Sequence, residues 1–350
     1  MTDVKCIVSI ILPVYNAESW IESCIVSILE QSYNGPLELC VHNDSCTDST
    51  IPKLLDFKSA LSKKGVDLIL TQNENGFPKG CGYAKNRAVE SSRGLYLCFL
   101  DADDVMMANR IQMQLDAARH LPKNTLVGCQ VVREPKESTV RYTKWINSMT
   151  NEQLFTQMYT SNGPTIVMPT WFCHRHVFDL VGGFVEGQSG TPEDYIFFLR
   201  FMKLGGKLHR VNEVLLNYRH HPQATTHSIS EHTIWQLRLK AVEKHVLTKW
   251  KTFTIWNAGK QGRKFYRDIS DENKLKVSCF CDVDKKKINN GIYIHELSPK
   301  KNKPRVPIVH FSVAPKPFVI CVKLGLTNGQ FEDNLASLNL VEGEDYVVFS

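Results

Sequence analysis

The chain has 350 residues, of which 43% are hydrophobic and 22% are charged, and its formal net charge is +6. This length predicts two domains, or one large domain with an appendage, and this composition excludes a disordered or fibrous protein. The net charge alone does not indicate a nucleic-acid-binding protein, but residues 251–317 hold fifteen basic and six acidic residues and thus concentrate the positive charge.

Neither targeting signals nor membrane spans are expected from this sequence. No secretory signal pattern stands at its start, and no apolar run reaches the roughly 18 residues that a membrane span needs. The eleven cysteines are an odd number and form no CxxC pair. We therefore expect a cytoplasmic protein without a membrane partner, in which the cysteines act as small apolar side chains.

The first 250 residues alternate between apolar, strand-like runs and helical patterns, which is typical of an α/β domain. Residues 134–164 lack a period and are predicted to be an insertion. The predicted strands are 4–12, 37–41, 66–70, 95–100 and 126–132, and the predicted helices are 17–30, 49–62 and 84–90, with another after Asp101.

A second unit begins near Trp250 and has its own alternation of strands and helices. Its predicted strands are 253–256, 277–281, 306–309, 318–322 and 345–349, with helices after Gly262 and near 330–338. The sequence therefore predicts two domains, 1–249 and 250–350, of which the second is a small, basic, Rossmann-like α/β domain.

Four polar clusters directly follow predicted strands of the first domain, at 13–16, 43–48, 76–86 and 100–104. Open α/β sheets bind their ligands just beyond the carboxyl ends of strands. Any one cluster has a simpler explanation, because acidic turns cap helices and glycines serve turns. Four of them on one sheet indicate a ligand site.

These clusters resemble the family 2 glycosyltransferases of GT-A fold. The resemblance lies in SIILPVYNAESWIESCIVSIL, NDSCTDST, NGFPKGCGYAKNRAV and LYLCFLDADD, and continues through GGF, PEDYIFFLRFMKLGGKL and LLNYRHH. It covers about residues 4–225 and implies a GT-A nucleotide-diphospho-sugar transferase domain with a Rossmann-like mixed sheet. It also implies metal-dependent, inverting transfer from a UDP-sugar. Asn43, Ser45, Cys46 and Lys85 depart from the family's usual residues.

A departing diphosphate carries negative charge, which a divalent ion held by carboxylates neutralises as a Lewis acid. Asp101 and Asp103 are two residues apart and so point to one face of an extended segment. They are the expected ligands of Mn²⁺ or Mg²⁺, whereas Asp104 fits a helix cap better. The resemblance adds His221 to the metal ligands and makes Asp194 the general base.

Nucleotide-sugar binding is expected from Pro13, Tyr15, Asn16, Asp44, Lys85, Asp101, Ala102 and Asp103. Asp44 would accept hydrogen bonds from the base or ribose, Tyr15 would stack on the base, and Lys85 would face the phosphates. An Asx turn, core packing and a solvated helix face are the respective alternatives.

Two further residues are candidates for acceptor contacts. Glu193 precedes Asp194 at the start of an apolar helix, where carboxylates are also favoured by the helix dipole. Trp171 could stack on an unpaired base, and core packing is an equal alternative.

In the second domain, AGKQG follows a strand, as in a dinucleotide-binding fingerprint, and Asp282, about 20 residues past Gly262, would suit a ribose hydroxyl. Asn257 stands where that fingerprint has its first glycine, so a structural remnant of the architecture is favoured over NAD binding. A polyanion-binding surface is predicted there, with a solvated face as the alternative. The residues concerned are Lys285, Lys286, Lys287, Lys300, Lys301, Lys303 and Arg305, with Tyr266 and Tyr293 nearby.

The whole chain, including CFCDVDKKKI and VEGEDYVVFS, resembles the galactosyltransferases that modify queuosine in tRNA. That resemblance implies UDP-galactose as the donor and the queuosine cyclopentenediol of a tRNA anticodon as the acceptor. The residues alone do not distinguish galactose from N-acetylglucosamine. A transferase of UDP-GlcNAc or another UDP-sugar to a cytosolic protein or glycan, and a non-catalytic RNA- or sugar-nucleotide-binding module, are the alternatives.

Overall fold

The computed structural model describes residues 8–74, 76–299 and 301–350. These residues form two compact units. The first comprises described residues up to Leu154 and Gly163–Ser230, and the second comprises Phe155–Asn162 and Glu231–Ser350. The domain boundary expected at residues 249 and 250 falls inside the second unit and stays a prediction.

The first unit contains a mixed sheet surrounded by helices. Its strands are β1 (Val8–Val14), β2 (Leu37–Asn43), β3 (Val66–Gln72), β4 (Tyr96–Phe99), β5 (Val105–Met106), β6 (Thr125–Glu134), β7 (Phe172–His174) and β8 (Lys207–Arg219). Its helices are α1 (Ile21–Leu29), α2 (Thr50–Asp56), α3 (Lys58–Lys64), α4 (Cys81–Ser91), α5 (Arg110–Arg119), α6 (Val140–Ser148), α8 (Arg175–Val181) and α9 (Glu193–Lys203). The short helix α7 (Gln153–Thr156) begins in this unit and ends in the second.

The strand order of this sheet is β3-β2-β1-β4-β7-β6-β8-β5. Strands β1 to β4 pair in parallel, whereas β7 is antiparallel to both of its neighbours. Strands β1 and β2 are almost entirely buried, as expected for parallel strands covered on both faces. The carboxyl ends of β1, β2, β3 and β4 therefore share one edge, and the predicted polar clusters follow them.

Several predicted elements differ from the structure. The helix expected at 49–62 is two helices, because the chain turns at Phe57 between α2 and α3. The segment 134–164, predicted to be an insertion because it lacks a period, contains the helix α6, which buries only Ile146 and so has too little apolar periodicity to detect. Strands β5, β7 and β8 were not predicted, because two are very short and β8 is rich in polar residues. Residues 4–7 of the first predicted strand lie outside the described residues.

The second unit is a smaller, mainly parallel sheet. Its strands are β9 (Phe253–Trp256), β10 (Val277–Asp282), β11 (Ile292–Ile294), β12 (Arg305–His310), β13 (Phe318–Ile320) and β14 (Tyr346–Val348). Its helices are α10 (Glu231–Val242), α11 (Lys260–Asp268), α12 (Asp271–Leu275), α13 (Lys285–Asn290) and α14 (Gln330–Ala336).

The strand order of the second sheet is β11-β12-β10-β9-β13-β14, and only β11 pairs antiparallel within the described part of the chain. Without β11, the parallel strands follow the order 3-2-1-4-5 of a Rossmann sheet. Its hydrophobic core includes the buried aromatic side chains of Trp256, Phe318 and Phe331. The predicted Rossmann-like character of this unit is therefore confirmed.

Candidate functional site

The loops after β1 and β2 join at the carboxyl edge of the first sheet. Asn16 has a φ of 47°, and its Oδ1 accepts a hydrogen bond from Thr47 N at 2.8 Å. Its own backbone N–H donates to Cys46 Sγ at 3.2 Å. Pro13, the residue before the last of β1, pairs with His42 of β2. Tyr15 is 52% exposed, so its ring is free to meet a ligand and does not pack in the core.

Asp44 fastens the loop at 76–80 to the end of β2. Its Oδ1 accepts from Lys79 N at 2.8 Å and from Asn73 Nδ2 at 2.6 Å, and its Oδ2 accepts from Gly80 N at 2.8 Å. Asn73 also donates to the carbonyl oxygen of Phe77 at 2.9 Å. Asp44 is only 3% exposed, so its first role is to shape the loop, and its predicted contact with a base or ribose stays a prediction.

A cluster of three carboxylates follows β4. Ligand atoms of Asp101, Asp103 and Asp104 all lie within 4.8 Å of one another. His221 Nε2 lies 2.9 Å from Asp103 Oδ2, although the two residues are 118 positions apart in the chain. Ala102, between the two aspartates, is buried. The predicted metal ligands Asp101, Asp103 and His221 therefore come together in space.

The donor set fits a hard divalent cation, which prefers carboxylate oxygens. Asp104 is buried, and its Oδ2 has no hydrogen-bond partner among the described residues. Partial exclusion of water raises the pKa of Asp101 to about 6; the Lys85 ammonium opposes this rise and the Asp103 carboxylate adds to it. Carboxylates this close repel one another, and a divalent cation removes that repulsion.

His221 is held by a tryptophan that precedes α1. The Trp20 and His221 rings stack with centroids 5.0 Å apart, and the Arg219 guanidinium lies 5.3 Å from the Trp20 ring. Arg219 also donates its backbone N–H to Asp104 Oδ1 at 2.9 Å. These contacts join the YRHH segment at the end of β8 to the acidic cluster.

Lys85 and Glu193 form a buried ion pair. Lys85 Nζ lies 2.7 Å from Glu193 Oε1, and the residues are 2% and 6% exposed. The solvated helix face considered for Lys85 is therefore wrong, and Glu193 is turned toward this lysine in the interior. Asp194 follows in the first turn of α9; exclusion of water and the Glu193 carboxylate raise its pKa to about 7.

Trp171 corrects a sequence-based expectation. Its side chain is fully buried among Phe99, Phe184 and Phe197, and its Nε1 donates to Ile166 O at 2.8 Å. It cannot stack on an acceptor base without leaving this aromatic core. Core packing, the alternative interpretation, is the correct one for this residue.

The predicted polyanion surface is divided between two ends of the second sheet. Lys285, Lys286 and Lys287 begin α13 after the carboxyl end of β10, whereas Lys301 and Lys303 precede the amino end of the parallel strand β12. Strands of six residues separate these ends by roughly 20 Å. Lys300 lies outside the described residues.

Two aromatic residues expected beside the lysines lie elsewhere. Tyr266 and Tyr293 are 2% and 8% exposed and pack edge to face in the core of the second unit. Asp282, considered for a dinucleotide ribose, is occupied: its Oδ2 accepts from Ala258 N at 2.9 Å and pairs with Lys287 Nζ at 2.8 Å. The two tyrosines therefore belong to the core of the second unit and not to a surface beside the lysines.

The sequence pattern did not single out Asn73, Trp20 or Arg219 as site residues. Asn73 stands three residues before Gly76 of the glycine-rich loop, and this position was its only signal. Trp20 reads as one more apolar residue on a helical face. The contacts of these three residues depend on which loops lie together at the edge of the sheet. The periodicity of the sequence does not predict that arrangement.

Comparison with known proteins shows what the first unit is similar to. Residues 9–182 match the family model described as glycosyl transferase family 2. The matched segment, just under half of the chain, is thus similar to the family 2 glycosyltransferases. The predicted GT-A fold is therefore confirmed.

The chain also has bacterial relatives. An uncharacterised glycosyltransferase of Rickettsia conorii is 30% identical over 234 residues, which are 65% of this chain and 36% of that protein. The Escherichia coli enzyme WfgD, named as a UDP-Glc:α-D-GlcNAc-diphosphoundecaprenol β-1,3-glucosyltransferase, is 39% identical over 109 residues, 31% of this chain and 40% of that protein. The chain thus spans two fifths or less of the length of these two relatives.

Solved structures share the fold at low identity. Staphylococcus aureus TarS 1–349, crystallised in complex with UDP-GlcNAc, is 15% identical with a TM-score of 0.51 and covers 68% of this chain and 66% of its own. This likeness concerns the fold. Within the described residues, no helix is both long and apolar enough to cross a membrane.

Proposed function

We propose that this protein is an inverting glycosyltransferase that moves a sugar from a UDP-sugar to an acceptor hydroxyl. The observation that carries the proposal is the cluster of Asp101, Asp103 and His221 after β4, with Asp194 close enough to Asp101 to interact electrostatically, in a segment similar to family 2 glycosyltransferases. WfgD, a relative of this domain, is named for a UDP-glucose donor. A UDP-sugar is the donor class that this relationship favours.

We assign a divalent cation, Mn²⁺ or Mg²⁺, to Asp101, Asp103 and His221. The carboxylates Asp101, Asp103, Asp104, Glu193 and Asp194 outnumber the neighbouring cations Lys85, Arg110 and Arg219 by two. A divalent cation would balance this excess. When bound, it would neutralise the charge that develops on the departing diphosphate.

Asp194 is the proposed general base. The acceptor oxygen attacks the anomeric carbon as the bond from that carbon to the diphosphate oxygen breaks, so UDP leaves with the bonding electron pair. The acceptor proton passes to the Asp194 carboxylate, whose pKa of about 7 suits proton transfer near neutral pH. One displacement from the face opposite UDP inverts the anomeric configuration.

The finer proposal is that UDP-galactose is the donor, that the cyclopentenediol of queuosine in a tRNA anticodon is the acceptor, and that the protein is cytoplasmic. It is supported by the resemblance of the whole chain to galactosyltransferases that modify tRNA. The exposed lysines of the second unit suit phosphate contacts, and the ten cysteines in the described ranges are free thiols, as is usual in a reducing compartment.

The test is incubation of the full chain with Mn²⁺, tRNA and each of a panel of UDP-sugars. We expect UDP release, and a hexose mass added to queuosine in the nucleosides recovered from the tRNA. Asp103→Ala is the inactive control, and Asp116→Ala, on the exposed face of α5, is its matched variant. Transfer to a protein or glycan but not to tRNA would refute the finer proposal, and no turnover with any acceptor would refute the activity.

A further inference from the structure

The Lys85–Glu193 pair joins helix α4 to helix α9. The two residues are 108 positions apart in the chain, and the pair is closed from water on both sides. Gly82 lies one turn before Lys85, where a Cβ would stand only 3.1 Å from the Glu193 Cβ. The helices therefore meet at this pair, directly before Asp194.

Lys85 is surrounded by more negative charge than it can balance. Besides Glu193, its ammonium attracts the carboxylates of Asp101 and Asp194. Removal of one partner from a buried pair leaves an uncompensated charge in the interior, which is strongly destabilising. If Lys85 moved to a donor phosphate, the Glu193 carboxylate would be left buried without a counter-charge.

We propose that Lys85 is a positioning residue, which holds Glu193 and through it the start of α9, so that Asp194 faces the acceptor, and that Lys85 is not a ligand of the donor phosphates. This inference rests on the proposed function, because Asp194 acts as a base only in that reaction. It replaces the sequence-based expectation that Lys85 contacts phosphates.

The inference predicts opposite effects of the two partners on Asp194. The groups that act on this carboxylate are Glu193 on its own helix, Lys85 on α4, Asp101 after β4, and Tyr142 on α6. The Lys85 ammonium lowers the pKa of Asp194, and the Glu193 carboxylate raises it. Loss of Lys85 should therefore move the acidic limb of the kcat profile to higher pH, and loss of the Glu193 charge should move it to lower pH.

The test compares Lys85→Met, Lys85→Arg and Glu193→Gln with the wild-type full chain, and uses Lys63→Met, an exposed lysine of α3, as the control. Turnover is followed against pH, and the affinity for UDP is measured by calorimetry with Mn²⁺ present. We expect Lys85→Met to lower kcat on the order of 100-fold, as a misplaced group does, with UDP affinity within about twofold of wild type. Lys85→Arg, which keeps the charge, should restore most of the loss.

A phosphate ligand would behave differently. If Lys85→Met weakens UDP binding about tenfold or more and leaves the acidic limb in place, Lys85 contacts the diphosphate and the proposal is overturned. If Lys85→Met does not fold, Glu193→Gln decides, because an unchanged acidic limb in that variant also overturns the proposal. Absence of turnover in the wild-type chain would instead refute the proposed function, so the two failures are distinguishable.

Discussion

Asp194 carries the chemistry of the proposed reaction, and its substitution tests that role directly. Asparagine keeps the size of the side chain and the acceptor for Tyr195 N, but it cannot take a proton. We expect Asp194→Asn to lower kcat by roughly 10²–10⁴, the contribution of a general base, with little change in the affinity for UDP and Mn²⁺. A loss of less than about tenfold would make Asp194 a structural residue of the helix start, with Glu193 the next candidate.

Ionisation of Asp194 should lower the free energy of unfolding at high pH. Its pKa is about 7 in the folded protein against an ordinary value of 3.8, so folding favours the protonated form. The protonated Asp194 carboxyl makes its full contribution to the free energy of unfolding below a pH of about 4, and this contribution is lost as the pH rises through about 7. Asparagine does not titrate. We therefore expect the melting temperature of Asp194→Asn to fall less than that of wild type between pH 5 and pH 8, measured with a chelator present. Equal falls would contradict the raised pKa.

At the scale of elements, the loop at 76–80 depends on Asn73. This side chain donates to Asp44, Ser45 and the Phe77 carbonyl oxygen. Loss of one such bond costs about 1 kcal/mol, so Asn73→Ala should speed amide exchange at Lys79 and Gly80 roughly fivefold or more. It should also weaken UDP binding. Asn109→Ala, which removes a single surface bond to Ser32, is the control. Unchanged exchange in the loop would show that Asp44 holds it unaided.

The limits of sequence reasoning are clearest at the same scale. Carboxyl ends of parallel strands share an edge, so the clusters after β1, β2 and β4 could be placed together from periodicity. Which side chains then meet depends on the loops. Nothing in the sequence indicates that Lys85 would find Glu193 across 108 residues, or that Trp20 would stack on His221. Trp171 was ambiguous because an aromatic residue suits both a core and a stacking surface.

At the scale of the whole molecule, a count of charge along the chain cannot report where the charge lies in space. Residues 285–287 and 301–303 read as one basic stretch, yet β12 runs parallel to β10 and separates them by the length of the strand. The Rossmann order of the second sheet was accessible from alternation of strands and helices. The separation of the lysines to opposite ends of this sheet could not be predicted from the sequence, because it depends on the direction and register of the strands.

That division makes the tRNA proposal testable end by end. Lys285 and Lys286 are exposed, whereas Lys287 is paired with Asp282, so the informative variant is Lys285→Glu with Lys286→Glu. Phosphate contacts release counterions, and we expect this variant to weaken tRNA binding and to reduce the slope of log affinity against log salt by about 2. Turnover with a short queuosine nucleoside should not change, because these lysines carry no chemistry.

The pair Lys301→Glu with Lys303→Glu tests the other end of the sheet, and Lys63→Glu with Lys64→Glu controls for net charge. A larger effect at Lys301 and Lys303 would place the tRNA-binding surface at the amino ends of the strands. Equal effects of all three pairs would show that the lysines contribute to tRNA binding only through the net charge of the protein.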